Sequence, residues 1–228
     1  MFIKQIKHDL AFSKAAFLGM SALMIAFAFV HRLLLAVSKS GVIDQGVPFV
    51  VMALLSFVLF GVVVVSIMQI YQFYKQNFFG DAGYLMLTLP VNRGRLLASK
   101  MIVSMLWFNF MLVMGIVVMF IMADFDGLVM IIFGTSLQDM VSSTVLINLI
   151  IMHLIAAMFF CITLSHSIIA GWRIHGFIAG MVYFVYLALY AWIVLLDARF
   201  GFIAITTLIS VGIAFVGTWY LLEKRMTL

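Results

Sequence analysis

The chain has 228 residues, of which 67% are hydrophobic and only 9% are charged. A typical soluble domain is about half apolar and about a quarter charged, so this composition excludes an ordinary soluble fold. A membrane crossing needs roughly 20 apolar residues, so the length accommodates about six or seven crossings and little else. The single cysteine, Cys161, excludes an intrachain disulfide and a zinc site built on cysteine.

Six long apolar runs that contain few charges predict six membrane spans. Each span must be a helix, because an open strand would leave backbone polar groups unsatisfied in lipid. The fold class expected is an all-α integral membrane protein that forms one transmembrane domain over residues 1–228. The predicted spans cover residues 15–37, 47–71, 101–122, 141–170, 177–196 and 200–222.

The distribution of Lys and Arg predicts the orientation of these spans. With six spans both termini lie on the same side, and ten of the 13 basic residues fall there. These ten are Lys4, Lys7, Lys14, Lys75, Arg93, Arg95, Lys100, Arg173, Lys224 and Arg225. Because basic residues accumulate in cytoplasmic loops, both termini are predicted to be cytoplasmic. The anionic inner leaflet then accounts for the net charge of +5, and no nucleic-acid partner is expected.

The first ten residues have an amphipathic pattern that predicts a short interfacial helix on the inner membrane surface. A frayed basic tail is the alternative interpretation. The apolar face would contain Phe2, Ile3, Ile6 and Leu10, and the basic residues off that face are Lys4, Lys7 and His8.

The loop between the second and third spans predicts a second short helix, on the cytoplasmic side. Asp81 suits the N-cap of a helix over residues 82–87, and Pro90 ends it and favours an extended Leu89. A basic segment, 92–100, then leads into the third span. Exposed apolar side chains need a partner surface, unless the helix folds back onto the bilayer. Those side chains are Tyr84, Leu85, Met86 and Leu87.

Residues 79–100, with the sequence FGDAGYLMLTLPVNRGRLLASK, resemble the inner loop of bacterial ABC type-2 permeases. The rest of the chain resembles that family only in span number and orientation. The resemblance implies that this loop is a coupling helix, which docks on an ABC ATPase subunit. The docking residues implied are Asp81, Gly83, Tyr84, Leu85, Thr88, Leu89 and Pro90. The residues implied to anchor the loop at the inner headgroups are Arg93, Arg95 and Lys100.

The function implied by the resemblance is that of a permease subunit in an ATP-driven exporter of the bacterial plasma membrane. It would pair with a second copy or a paralogue, and the ATPase subunits would bind ATP and magnesium. Its substrate would be a hydrophobic or amphipathic peptide, antibiotic or lipid. The alternative is an immunity or scaffold protein that is not a transporter and docks a cytoplasmic partner through the 79–100 loop.

The sequence contains no motif that indicates an active site. It has no Gly-x-x-x-x-Gly-Lys-Ser/Thr phosphate loop and no His-Glu-x-x-His zinc helix, so no enzymatic activity or resident cofactor is expected in this chain. No acidic residue lies inside a predicted span, which argues against an ion-coupled carrier.

Polar residues are few inside the predicted spans, and each has two interpretations. Asn109, Asn148 and His153 either line a translocation path or form hydrogen bonds between helices or contacts with lipid headgroups. His153 and His166 are separated by thirteen residues, or about 20 Å along a helix, so they are not expected to share a metal ion.

Overall fold

The computed structural model describes residues 2–39, 46–79, 92–122, 136–168, 175–196 and 199–225. Within these ranges all secondary structure is helical, and no strand is present. The helices in chain order are α1 (Phe2–Lys39), α2 (Gly46–Phe79), α3 (Arg93–Met122), α4 (Leu137–Ile168), α5 (His175–Leu196) and α6 (Phe200–Arg225).

Five helical segments in the described residues are long and apolar enough to cross a membrane. They are Ser13–Ser38, Arg93–Met122, Gln138–Ser167, Phe177–Leu195 and Phe200–Lys224. Large apolar side chains such as Phe57, Phe184 and Leu195 are at least three-quarters exposed, as is suitable for contact with lipid. The chain thus has the features of a multi-pass membrane protein. Helix α2 covers the predicted second span, and the count of six spans stays a prediction.

Helix α1 corrects the expectation of a separate interfacial helix at the N-terminus. It runs from Phe2 to Lys39 without interruption, so the amphipathic first ten residues are its opening turns. The physical reason is the absence of a helix breaker: the sequence from Leu10 to Ala15 contains neither proline nor glycine. Contact between these turns and the inner membrane surface stays a prediction.

Two helices begin at polar caps that place their first turns outside the apolar runs. Asn92 precedes α3, and its Oδ1 accepts the Gly94 N–H at 2.9 Å. Helix α3 therefore starts about two turns before the predicted span at 101 and includes the basic segment. Ser136 precedes α4: its Oγ accepts the Asp139 N–H at 3.1 Å and donates to the Asp139 carboxylate at 2.6 Å.

The chain divides into two compact units. The first unit contains residues 1–7, 71–105 and 141–228, and the second contains residues 8–70 and 106–140.

Helix α4 is the central helix of the first unit. Half of its most apolar window is buried inside the chain, compared with 6% for α5 and 17% for α6. Residues Ile155 to Phe159 form an unbroken buried stretch, so every face of α4 is covered there. Helices α2, α5 and α6 each contact α4.

The second unit has a small core that is rich in methionine. Met24, Ala28, Val62 and Val118 are buried together, and the partly buried side chains packed against them include three further methionines, Met20, Met111 and Met122. Because Met is unbranched and flexible, it fills irregular gaps between helices.

Candidate functional site

The predicted docking residues fall in the part of the inner loop that lies outside the described residues. They are Asp81, Gly83, Tyr84, Leu85, Thr88, Leu89 and Pro90. The structure does describe the two helical ends from which the loop emerges, the last turns of α2 and the first turns of α3. We call these turns, over residues 70–79 and 92–101, the loop base; all of it except residue 70 belongs to the first unit.

Tyr74 connects the loop base to α4. Its side chain is completely buried, and its ring stacks on Phe159 with centroids 3.9 Å apart. The Tyr74 hydroxyl lies 2.7 Å from Thr163 Oγ1, which itself donates to the Phe159 carbonyl at 2.8 Å. The threonine proton is thus already used, so Tyr74 is the donor in the pair. Burial raises the pKa of the Tyr74 phenol, which keeps this hydroxyl protonated.

Lys100 connects the two ends of the loop base to each other. Its side chain is completely buried, and Nζ donates to Asn77 Oδ1 at 3.1 Å while lying 4.8 Å from the centroid of the Phe73 ring. Asn77 is fixed in turn, because its Nδ2 donates to the Phe73 carbonyl at 2.6 Å. A buried lysine is costly unless it is paired, so these contacts hold α2 and α3 together at this point. The role of Lys100 at the headgroups stays a prediction.

Arg93 connects the start of α3 to the end of α6. Its Nη1 donates to the carbonyls of Leu222 at 2.9 Å and Glu223 at 2.8 Å. The last carbonyls of a helix have no partner within the helix and carry its negative dipole end, so a guanidinium is a suitable cap. Arg95, by contrast, is exposed. Of the three residues predicted to anchor the loop, Arg93 and Lys100 thus make contacts within the chain.

Phe79, the last residue of α2, stacks on His166 near the end of α4, with ring centroids 4.2 Å apart. The His166 Nδ1 lies 2.9 Å from the Ile162 carbonyl of its own helix, which fixes the imidazole ring. The contacts of Tyr74 and Phe79 therefore bind the end of α2 to about two turns of α4, from Phe159 to His166.

The sequence did not predict roles for Tyr74, Asn77 or Thr163. A signal was present for Tyr74 and Asn77, which both lie near the end of α2. The buried residues at the end of α2 recur every three or four positions, as one face of a helix requires. The opposite face carries the polar residues of a shallow groove of about 310 Å³, lined by Tyr71, Gln72, Lys75, Gln76 and Phe79. The three-to-four-residue period of the buried positions continues beyond residue 71, the predicted end of the second span. It therefore indicates that the helix extends toward the loop.

The residues predicted to line a path have different environments. Asn109 is half-buried and belongs to the second unit. Asn148 is half-buried in the first unit, and its Nδ2 donates to the Thr144 carbonyl of its own helix at 3.0 Å. His153 is completely buried in the first unit, with its ring against two tyrosines of α5. Their common role in a translocation path stays a prediction.

Side chains that could bind a metal ion are not clustered in the part of the chain that the structure describes. There, no three His, Cys, Asp or Glu side chains come close enough together to hold an ion.

Comparison with known families, curated proteins and solved structures finds no match to this chain.

Proposed function

We propose that the chain is the transmembrane permease subunit of an ATP-driven ABC exporter. The observation that carries this proposal is the sequence of the inner loop, residues 79–100, which resembles the coupling loop of ABC type-2 permeases. The five long apolar helices are consistent with such a subunit. The transported substrate is a hydrophobic or amphipathic molecule, and the membrane is the bacterial plasma membrane with both termini on the cytoplasmic side.

The contacts of the loop base support a role in transmitting force. One end of the loop is bound to α4 through Tyr74 and Thr163, and the other is bound to the end of α6 through Arg93. Lys100 and Asn77 join the two ends. Because packed side chains deform little, a displacement of the loop is expected to move α4 and α6 rather than the loop alone. Such a displacement would shift the helices between two states.

The partners are those that the resemblance of the inner loop implies. ATP and magnesium are bound by a separate ABC ATPase subunit, and the sequence contains no phosphate loop of its own. A second copy of the permease, or a paralogue, completes the assembly. The polar groove at the end of α2 leads directly to the loop, and its Gln72, Lys75 and Gln76 side chains offer hydrogen-bond donors to the docked subunit.

The experiment that tests this proposal introduces two negative charges into the loop. Tyr84→Glu combined with Leu85→Glu is expected to abolish association with a candidate ABC ATPase subunit, because two apolar contacts become charged. Association is measured by co-purification in detergent, and stimulated ATP hydrolysis is measured in proteoliposomes. The matched control is Gln138→Glu, which adds a negative charge at an exposed position of the first turn of α4.

The result that would overturn the proposal is retention of both association and stimulated hydrolysis in the double variant. If instead no ATPase subunit co-purifies with the unaltered chain, and another cytoplasmic protein binds in a manner that the double variant abolishes, the scaffold alternative is correct. The Gln138→Glu control is expected to behave like the unaltered chain in both assays.

A further inference from the structure

A polar seam crosses the apolar interior of the first unit, between α4, α5 and α6. Its centre is His153, which lies in the middle of α4 and is completely buried. The imidazole stacks on the ring of Tyr190, with centroids 3.9 Å apart, and on the ring of Tyr186, with centroids 5.5 Å apart. We call these three residues, with Thr207 and Ser210 of α6, the tyrosine seam.

The tyrosine hydroxyls of the seam are directed to α6 and not to the histidine. Tyr190 Oη lies 2.6 Å from Thr207 Oγ1, and Tyr186 Oη is hydrogen-bonded to Ser210 Oγ. Thr207 Oγ1 also donates to the Ile203 carbonyl at 2.6 Å, so Tyr190 is the donor to Thr207. The tyrosines therefore contact His153 only through their ring faces.

The imidazole itself has no hydrogen-bond partner in the part of the chain that the structure describes, at either Nδ1 or Nε2. A neutral imidazole has one donor and one acceptor, so two polar atoms are buried without compensation. This is unusual, because most buried polar groups are hydrogen-bonded. An ionisable residue inside a membrane domain is, in general, a mark of a functional site.

The groups around His153 decide how it responds to a proton. From α5 it faces the phenols of Tyr186 and Tyr190, and the α6 residues behind them, Thr207 and Ser210, do not titrate in water. The other ionisable groups nearby are the thiol of Cys161 on α4 and the phenol of Tyr183 on α5, whose hydroxyl donates to the Leu154 carbonyl at 3.4 Å. Within the described residues, the seam thus contains no carboxylate. An imidazolium formed here would be a buried charge with two unsatisfied N–H donors, balanced only by the faces of two rings.

We propose that His153 is a proton-binding site whose protonation opens the packing of α4 against α5. The neutral imidazole fits the packed arrangement, whereas the imidazolium favours an arrangement in which the ring reaches water or an acceptor. The seam is therefore packed at neutral pH and loosens as the pH falls. This response does not require docking of an ATPase, so it can be tested on the isolated chain.

Cys161 supplies an internal probe for the test. It is the only cysteine in the chain, it is buried, and it lies eight residues from His153 on α4. Its labelling by N-ethylmaleimide in detergent therefore reports local opening. The labelling rate is divided by that of glutathione at the same pH, which removes the direct effect of pH on thiol chemistry. We expect this relative rate to increase about threefold or more between about pH 7.5 and about pH 5.5, the range in which an imidazole exposed to water in the opened state takes up a proton.

Three variants separate His153 from other causes. His153→Gln retains a polar side chain but cannot titrate, and its relative rate is expected to stay constant over the same pH range. His153→Phe preserves the stack of rings and serves if the glutamine variant does not fold. His166→Gln is the matched control, because His166 lies on the same helix with a hydrogen-bonded Nδ1, and the increase is expected to persist.

A flat profile in the unaltered chain overturns the proposal without reference to any variant. An equal increase in the unaltered chain and in both His153 variants also overturns it, because another group would then cause the opening. Loss of ATPase docking by Tyr84→Glu has no bearing on the outcome, so failure of the proposed transport function and failure of this proposal are distinguishable.

Discussion

The loop base and the tyrosine seam both pack against α4, but they differ in how completely their buried polar groups are hydrogen-bonded. Thr163 in the contacts of the loop base and His153 in the seam are ten residues apart, about 15 Å along the helix. At the loop base, Tyr74, Lys100 and Arg93 each have a partner at a normal hydrogen-bond distance. In the seam the hydroxyls are paired, but the imidazole is not, within the described residues.

From this difference we infer that the two regions of α4 have different roles, one rigid and one able to change its packing. A fully paired, buried polar network rigidifies its surroundings, whereas a partly satisfied one raises the energy of the packed state. The loop base is therefore expected to move as one piece with α4, and the seam is expected to be the place where α4 changes its neighbours.

The largest effect is expected from removal of the Tyr74 ring. Tyr74→Ala deletes a fully buried aromatic side chain that stacks on Phe159, and the free energy of unfolding is expected to fall by about 3–5 kcal/mol. Tyr190→Ala removes a half-buried ring from the seam, so a smaller loss is expected. Both variants are measured by SDS-induced unfolding in mixed micelles. Equal losses would contradict the view that the loop base is the more rigid region.

The second effect concerns the close approach of α4 and α6, between the two regions. A Cβ at Gly217 would lie 2.7 Å from the Cε2 atom of Phe160, so any side chain there forces the two helices or the ring to move. Gly217→Val is expected to lower the free energy of unfolding by about 1–3 kcal/mol.

The control for this prediction lies on the same helix. A Cβ at Gly212 meets no atom within 4 Å, so Gly212→Val is expected to change stability by less than about 0.5 kcal/mol. If both variants lose the same stability, the cause is a property of valine in this helix and not the contact with Phe160.

The apolar runs predicted the helices well because membrane insertion depends on composition, which a sequence shows directly. Helix α1 extends beyond its run because the flanking residues lack breakers, and helix α3 extends beyond its run because Asn92 supplies a cap, so hydropathy alone misplaced those ends. The contacts of the loop base depend on residues far apart in sequence. Tyr74 and Thr163 are 89 positions apart, and no local pattern indicates that their hydroxyls meet.

For His153, too, the sequence predicts only part of what the structure shows. Its position inside a predicted span was visible in the sequence, and so was the alternative that it joins helices by hydrogen bonds. The sequence does not reveal that Tyr186 and Tyr190 present ring faces to it, because their hydroxyls are oriented by Ser210 and Thr207 on the next helix. Only the packing of three helices distinguishes a paired histidine from an unpaired one.

The smallest effect is expected from Arg93, and it tests whether the loop base acts as one piece. Arg93→Ala removes two hydrogen bonds to the end of α6, and because the side chain is partly exposed the loss is expected to be about 1 kcal/mol. Arg95→Ala is the matched control: Arg95 lies two residues away and is exposed, so a change below about 0.5 kcal/mol is expected.

The effect of Arg93→Ala on ATP hydrolysis is a more direct test of the link between the loop and α6 than its effect on stability. If the chain is a permease subunit, the variant retains the docking residues of the loop but loses its link to α6. Association with the ATPase subunit is then expected to stay intact while stimulated hydrolysis falls, whereas Arg95→Ala changes neither. Unchanged hydrolysis in Arg93→Ala would mean that α6 does not receive the motion of the loop. In that case Tyr74 and Thr163 would remain as the connection from the loop to the rest of the first unit, through α4 alone.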